Sequence, residues 1–229
     1  NSETNIKAIN RLKNINANEN DYKIKVDYGF INFNPYTTIM DLKNNLYSLR
    51  KYCIDINPYI LSSKVSLNYL TPLTKIVDND NLFMKKVKDF TVKELMERSF
   101  EYKFVDPKVQ EVYTIFNICD KRLKLKNANG IEFLRNRYCH FYNYDMTIIK
   151  FDEIYQKWIN AIDDFSYKLF EYILLSDARY DNKLSTALSM CDKFHNEFDT
   201  IHSQLKKIQQ RIMIQLKKID ELNYYRNSL

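Results

Sequence analysis

The chain has 229 residues, 45% of them hydrophobic, which is enough to bury a core as one domain, or as one domain with an appendage. Its 2 glycines and 4 prolines are too few for a β-sandwich, a barrel or a glycine-rich phosphate loop. The 35 basic residues nearly balance the 29 acidic ones, so the net charge of +6 favours a polyanionic partner only mildly.

The first part of the chain is predicted to be irregular. Residues 1–20 are polar and rich in asparagine, which favours a frayed helix or an arm. Apolar and polar residues alternate over 22–28, and Phe30, Ile31 and Phe33 follow Gly29, which favours a short strand or an extended segment. Residues 38–54 predict a helix. Prolines interrupt residues 57–80, where we expect irregular chain with short helical pieces.

Regular helices are predicted further along the chain. Thr91 and Glu94 form a capping-box pattern, which begins a helix running to about Phe104. Pro107 suits the first position of the next helix, predicted near 107–124 from apolar residues spaced three and four apart.

The longest periodic stretches come last. Residues 151–175 predict an amphipathic helix, and residues 184–222 predict a helix on the order of 60 Å long, too long for a small bundle. Part of that last helix should project and meet a partner, either the N-terminal region or a second copy. We therefore predict a mainly α fold with a less regular N-terminal region over 1–90. A helical bundle with a long C-terminal helix should follow over 91–229.

Residues that ligate metals are too scattered to predict a metal site. The 4 cysteines form no C-x-x-C pair, which disfavours zinc and a secreted disulfide scaffold. His195 and His202 lie seven apart, whereas a two-histidine site needs a spacing of three or four, so we expect packing or surface roles. No cofactor is expected. The absence of an apolar signal and of an apolar stretch of about 18 residues predicts a cytoplasmic protein outside the membrane.

Arg135, Asn136 and His140 together suit metal-free RNA cleavage. A histidine has a pKa near ~6.5 and can take a proton from a ribose 2′-hydroxyl or give one to a leaving group. The arginine fork matches phosphate oxygens, and the asparagine adds a neutral donor and acceptor. On a helix, Asn136 and His140 share one face with Arg135 at its edge, away from the core-facing stripe that contains Leu134 and Tyr138. The alternative interpretation is an ordinary solvated helix face.

Arg135-Asn136-x-x-x-His140 resembles the R-N-x-x-x-H motif of the HEPN superfamily, whose members are small helical bundles and very often metal-independent RNases. The resemblance covers about residues 106–175, including a helix start before the motif and a long amphipathic helix after it. Cys139 and Phe141 differ from the small residue and the glycine that commonly flank the motif histidine.

A basic run, residues 121–126, precedes the motif and could hold a nucleic-acid backbone. Such a run equally suits a solvated helix end. Arg137 and Tyr138 lie within the motif itself. The predicted RNA-binding residues are therefore Lys121, Arg122, Lys124, Lys126, Arg137 and Tyr138.

The resemblance implies a homodimeric endoribonuclease, because one histidine per chain does not easily serve as both base and acid. It further implies a role in toxin, abortive-infection or CRISPR-type antiviral defence, with products ending in 2′,3′-cyclic phosphate and 5′-hydroxyl. The long C-terminal helix could bind an antitoxin or an effector complex. The competing hypothesis is a non-catalytic helical module that binds RNA or protein and carries an inactive or fortuitous motif.

Overall fold

A computed structural model describes residues 7–8, 10–11, 31–51, 58–68, 71–84, 100–123, 137–140 and 146–227. The predicted mainly α fold with a long C-terminal helix is confirmed, and no strand longer than an isolated bridge occurs in these ranges. The main helices are α1 (Ile39–Lys51), α2 (Pro58–Leu61), α3 (Pro72–Asn79), α4 (Pro107–Leu123), α5 (Met146–Leu175) and α6 (Tyr180–Asn227).

Helices α5 and α6 form a long antiparallel hairpin. They contain 30 and 48 residues, so α6 runs about 27 Å past the start of α5 at about 1.5 Å per residue. Helix α5 begins at Met146 rather than near residue 151 as the sequence predicted. The apolar stripe explains the earlier start, because Ile148, three residues before Phe151, is also fully buried.

The large core joins the N-terminal region to the helices. It contains side chains of α1 to α4 together with the second half of α5 and the first half of α6. Phe33 is fully buried there and lies edge-on to Tyr113 and Phe170, with ring centroids 5.1 and 6.2 Å away. The irregular N-terminal segments are therefore held by the same apolar cluster that holds α4 against the hairpin.

The small core lies between the first half of α5 and the middle of α6. Aromatic rings of the two helices stack across it, with Trp158 and Phe198 6.2 Å apart at 27°. Its buried residues are Tyr138, Ile148, Phe151, Trp158, Ile162, Leu205, Ile208, Ile212 and Leu216.

The predicted helix ending near Phe104 is wrong over its last residues, and its first part, 91–99, lies outside the described residues. Residues 100–104 are extended, and Tyr102 makes an antiparallel bridge with Phe83. Phe100, Tyr102 and Phe104 are buried while the residues between them are exposed. That period of two is the pattern of an extended segment with one buried face.

Candidate functional site

The described part of the motif, residues 137–140, is one turn of helix. Tyr138 is fully buried in the small core, whereas His140 is exposed. Arg137 and Cys139 are half-buried. Residues two apart on a helix point about 200° away from each other, so burial of the tyrosine turns the histidine outward. The sequence prediction that Tyr138 lies on the core-facing stripe is confirmed, and His140 lies off that stripe.

Tyr138 was also predicted to bind RNA, and its burial leaves no ring surface for a base to stack on. Its side chain belongs instead to the packing that fixes the motif turn against α5 and α6. Arg135 and Asn136 lie outside the described residues, as do Lys124 and Lys126 of the basic run.

The basic run begins at the end of α4, beside both cores. Leu123 packs against the large core and also against the small core. Arg122 donates a hydrogen bond from Nε to Oδ1 of Asp192 on α6 at 2.8 Å, and its Nη2 forms an ion pair with the same oxygen at 2.7 Å. Lys121 is exposed. Arg122 thus ties α4 to the hairpin, while the neighbouring lysine points its charge to solvent.

A cavity of about 460 Å³ lies between the start of α5 and the distal half of α6. Its lining residues are Met146, Thr147, Lys150, Ile208, Arg211, Ile214 and Gln215. Ile208 also belongs to the small core that contains Tyr138. The cavity and the motif turn are therefore packed on the same apolar cluster.

The two basic residues of this cavity, Lys150 and Arg211, were not singled out from the sequence. A local excess of basic residues around Arg211 is nevertheless visible in the sequence. Between Asp199 and Asp220 the chain carries five basic residues and no acidic one. These residues are Lys206, Lys207, Arg211, Lys217 and Lys218. The overall charge balance hides this local excess.

Two histidines of α6 were predicted to be packing or surface residues, and their positions agree. His195 is exposed and His202 is half-buried. Burial, with the nearby Lys206, lowers the pKa of His202 below its ordinary value. Among the described residues, no cluster of three or more metal-ligating side chains occurs.

Two cysteines that are far apart in sequence lie side by side in the large core. Cys119 of α4 and Cys191 of α6 are both fully buried. Contact with the Cys119 thiol, together with burial, raises the pKa of the Cys191 thiol well above its ordinary value. A thiol held in that state packs as a small apolar group and is a poor nucleophile.

No helix in the described ranges is both long and apolar enough to cross a membrane. No family model, no curated protein and no solved structure matches the chain.

Proposed function

We propose that the chain is a metal-independent endoribonuclease of the HEPN type. The observation that carries the proposal is a single helical turn in which one side chain is buried and another, two residues later, is exposed. Tyr138 anchors the turn in the small core, and His140, two residues later, holds its imidazole at the surface. A catalytic group needs both a rigid support and access to substrate, and this turn provides them.

The proposed reaction is transesterification followed by release of the leaving strand. Neutral His140 takes the proton of the ribose 2′-hydroxyl, and the 2′-oxygen forms a bond to phosphorus. The bond from phosphorus to the 5′-oxygen breaks, and a protonated imidazole gives that oxygen its proton. Arg135 and Asn136 hold the phosphate and stabilise the charge that develops on its oxygens. The products end in 2′,3′-cyclic phosphate and 5′-hydroxyl.

The proposal includes a homodimer, because base and acid are needed at the same time and each chain offers one motif histidine. Two motif turns facing each other across a twofold axis would supply both groups in one cleft. A role in toxin, abortive-infection or CRISPR-type defence follows from the resemblance, as does an antitoxin or effector partner on α6.

A non-catalytic RNA-binding module is the second candidate. The run of five basic residues in α6 without an intervening acidic one favours it, since such a run binds polyanions whether or not the motif is active. Both candidates would bind RNA, but only the nuclease would release cleaved RNA.

Incubation of the purified protein with total RNA in EDTA separates the two. The nuclease proposal predicts fragments that carry 2′,3′-cyclic phosphate ends, because no step uses a metal ion. Cleavage that stops in EDTA and returns with Mg²⁺ would contradict the mechanism. Binding without any cleavage would favour the module.

A further inference from the structure

The cavity at the start of α5 brings two cations from different helices to one opening. Lys150 belongs to α5 and Arg211 to α6, and both side chains are exposed. No lining residue carries a carboxylate, and neither cation makes an ion pair within the described ranges. Like charges at one site repel, so the arrangement favours an anionic occupant that neutralises both.

The charge continues along α6 beyond the cavity. At about 100° per residue, Lys207, Arg211, Ile214 and Lys218 fall within about 60° of one another on the helix surface. All of them are exposed. The spacing gives a basic stripe that runs along α6 past Lys150, rather than a single charged point. A stripe of this kind suits a ligand with phosphates repeated along its length.

The uncharged lining of the cavity suits the remainder of a nucleotide. Met146, Ile208 and Ile214 contribute apolar surface, and the volume of about 460 Å³ lies within the range of ordinary small-ligand sites. A ribose or a base can rest on that surface while its phosphate meets Lys150 and Arg211. Arginine offers a planar fork to phosphate oxygens and lysine a compact charge.

We infer that this cavity and the stripe beside it bind the backbone of single-stranded RNA, with one nucleotide seated between Lys150 and Arg211. The inference rests on the proposed function, since it names a surface that holds the RNA substrate of that reaction. Ile208 and Tyr138 belong to the same small core, so one apolar cluster supports both the cavity and the motif turn.

The test uses the full-length protein with His140→Ala as the background, so that RNA remains intact during binding measurements. A fluorescent 20-nucleotide uridine RNA is the probe, and Lys150→Ala and Arg211→Ala are the variants. Lys75→Ala is the matched control, because Lys75 is an exposed lysine of α3 outside the cavity. Thermal unfolding of each variant checks the fold. Adenosine monophosphate serves as the lone-nucleotide probe.

Each cavity variant should weaken RNA binding roughly tenfold, as expected for a charge-assisted phosphate contact. Each should also reduce the slope of log K against log salt by about 0.7, the value for one phosphate of a single strand. Lys75→Ala should leave the RNA affinity and the salt slope close to those of the His140→Ala background protein. Affinity for adenosine monophosphate should be far weaker than for the RNA.

Folded cavity variants that bind the RNA no more weakly than Lys75→Ala would overturn the inference. Equal affinity for the lone nucleotide and the RNA would also overturn it, because the strand would then add nothing. Cleavage by the wild-type chain is measured separately. RNA binding that depends on Lys150 and Arg211, without any cleavage, would sink the nuclease proposal and leave this site standing.

Discussion

At the scale of residues, the motif turn shows what local sequence can and cannot predict. The three-and-four spacing of apolar residues placed Tyr138 in the core and His140 off the apolar stripe, because a helix has a fixed angle per residue. Lys150 and Arg211 were not foreseen as neighbours. They lie 61 positions apart, and the register of the α5–α6 hairpin decides whether they meet.

Tyr138→Ala should destabilise the fold without touching the reacting groups. Removing a fully buried aromatic side chain typically costs about 3–5 kcal/mol, because the cavity left behind does not close fully. Urea denaturation of this variant measures the effect, with Tyr47→Ala as the control. Tyr47 is 66% exposed, so its replacement should change the free energy of unfolding by about 0.5 kcal/mol or less. Equal stabilities of the two variants would show that Tyr138 does not anchor the turn.

Arg135 should contribute both to RNA binding and to the rate of cleavage. Arg135→Ala removes the charge and the planar fork, so both quantities should fall. Arg135→Lys keeps the charge but not the fork and should restore only part of the rate. Single-turnover cleavage and RNA affinity are measured for both variants. Full rescue by lysine would mean that charge alone suffices at this position.

At the scale of elements, long periodic helices were predicted better than short extended pieces. The start of α4 at Pro107 and the end of α5 at Leu175 agree with the sequence. The extended segment 100–104 was assigned to a helix because the helix that the upstream capping-box pattern predicts was extended through it, and the period of two in this segment was not used. Its burial depends on pairing with Phe83 and on Lys64, whose ammonium lies 3.9 Å from the Tyr102 ring centroid. Such distant partners leave little trace in local sequence.

The start of α1 offers a prediction about capping and pH. The backbone N–H of Thr38 donates to Oδ2 of Asp41 at 2.9 Å, and the N–H of Asp41 donates to the Thr38 hydroxyl at 3.2 Å. Hydrogen bonds from the Thr38 backbone and hydroxyl lower the pKa of Asp41 below its ordinary value of 3.8. This stabilisation is therefore present above that value and is lost as the pH falls through the folded-state pKa.

Asp41→Ala should reduce the free energy of unfolding at neutral pH by about 0.3–1 kcal/mol, the usual contribution of an exposed carboxylate in the first turn of a helix. The difference in free energy of unfolding between this variant and the wild type should narrow as the pH falls, because a protonated Asp41 carboxyl stabilises the helix start less than the carboxylate does. Urea denaturation at neutral and acid pH measures both. Asp78→Ala is the control, since Asp78 is exposed in α3 and its carboxylate accepts no hydrogen bond within the described ranges. A gap that is constant with pH would rule out the capping role.

At the scale of the whole molecule, two separate hydrophobic cores lie along the α5–α6 hairpin. The large core gathers α1 to α4 and contains the packing of Cys119 against Cys191, which sequence spacing alone did not reveal. The small core supports the motif turn and one side of the cavity. The separation of these cores along the hairpin could not be predicted, because apolar periodicity says which face is buried but not which neighbour covers it.

The proposed dimer makes a prediction about concentration. If the active cleft needs two motif turns, cleavage per chain should fall on dilution below the dimer dissociation constant. Sedimentation velocity and cleavage rates over the same concentration range test this. A monomer with undiminished specific activity would contradict the shared cleft.

The most direct test of the central claim is the rate at which His140→Ala cleaves a defined RNA oligonucleotide in EDTA. Loss of the group that transfers protons should slow cleavage by about 10²–10⁴-fold, while the fold is kept because His140 is exposed. His195→Ala, which removes an exposed histidine of α6, should cleave at the wild-type rate. Folded His140→Ala that cleaves as fast as the wild type would contradict the assignment of the site.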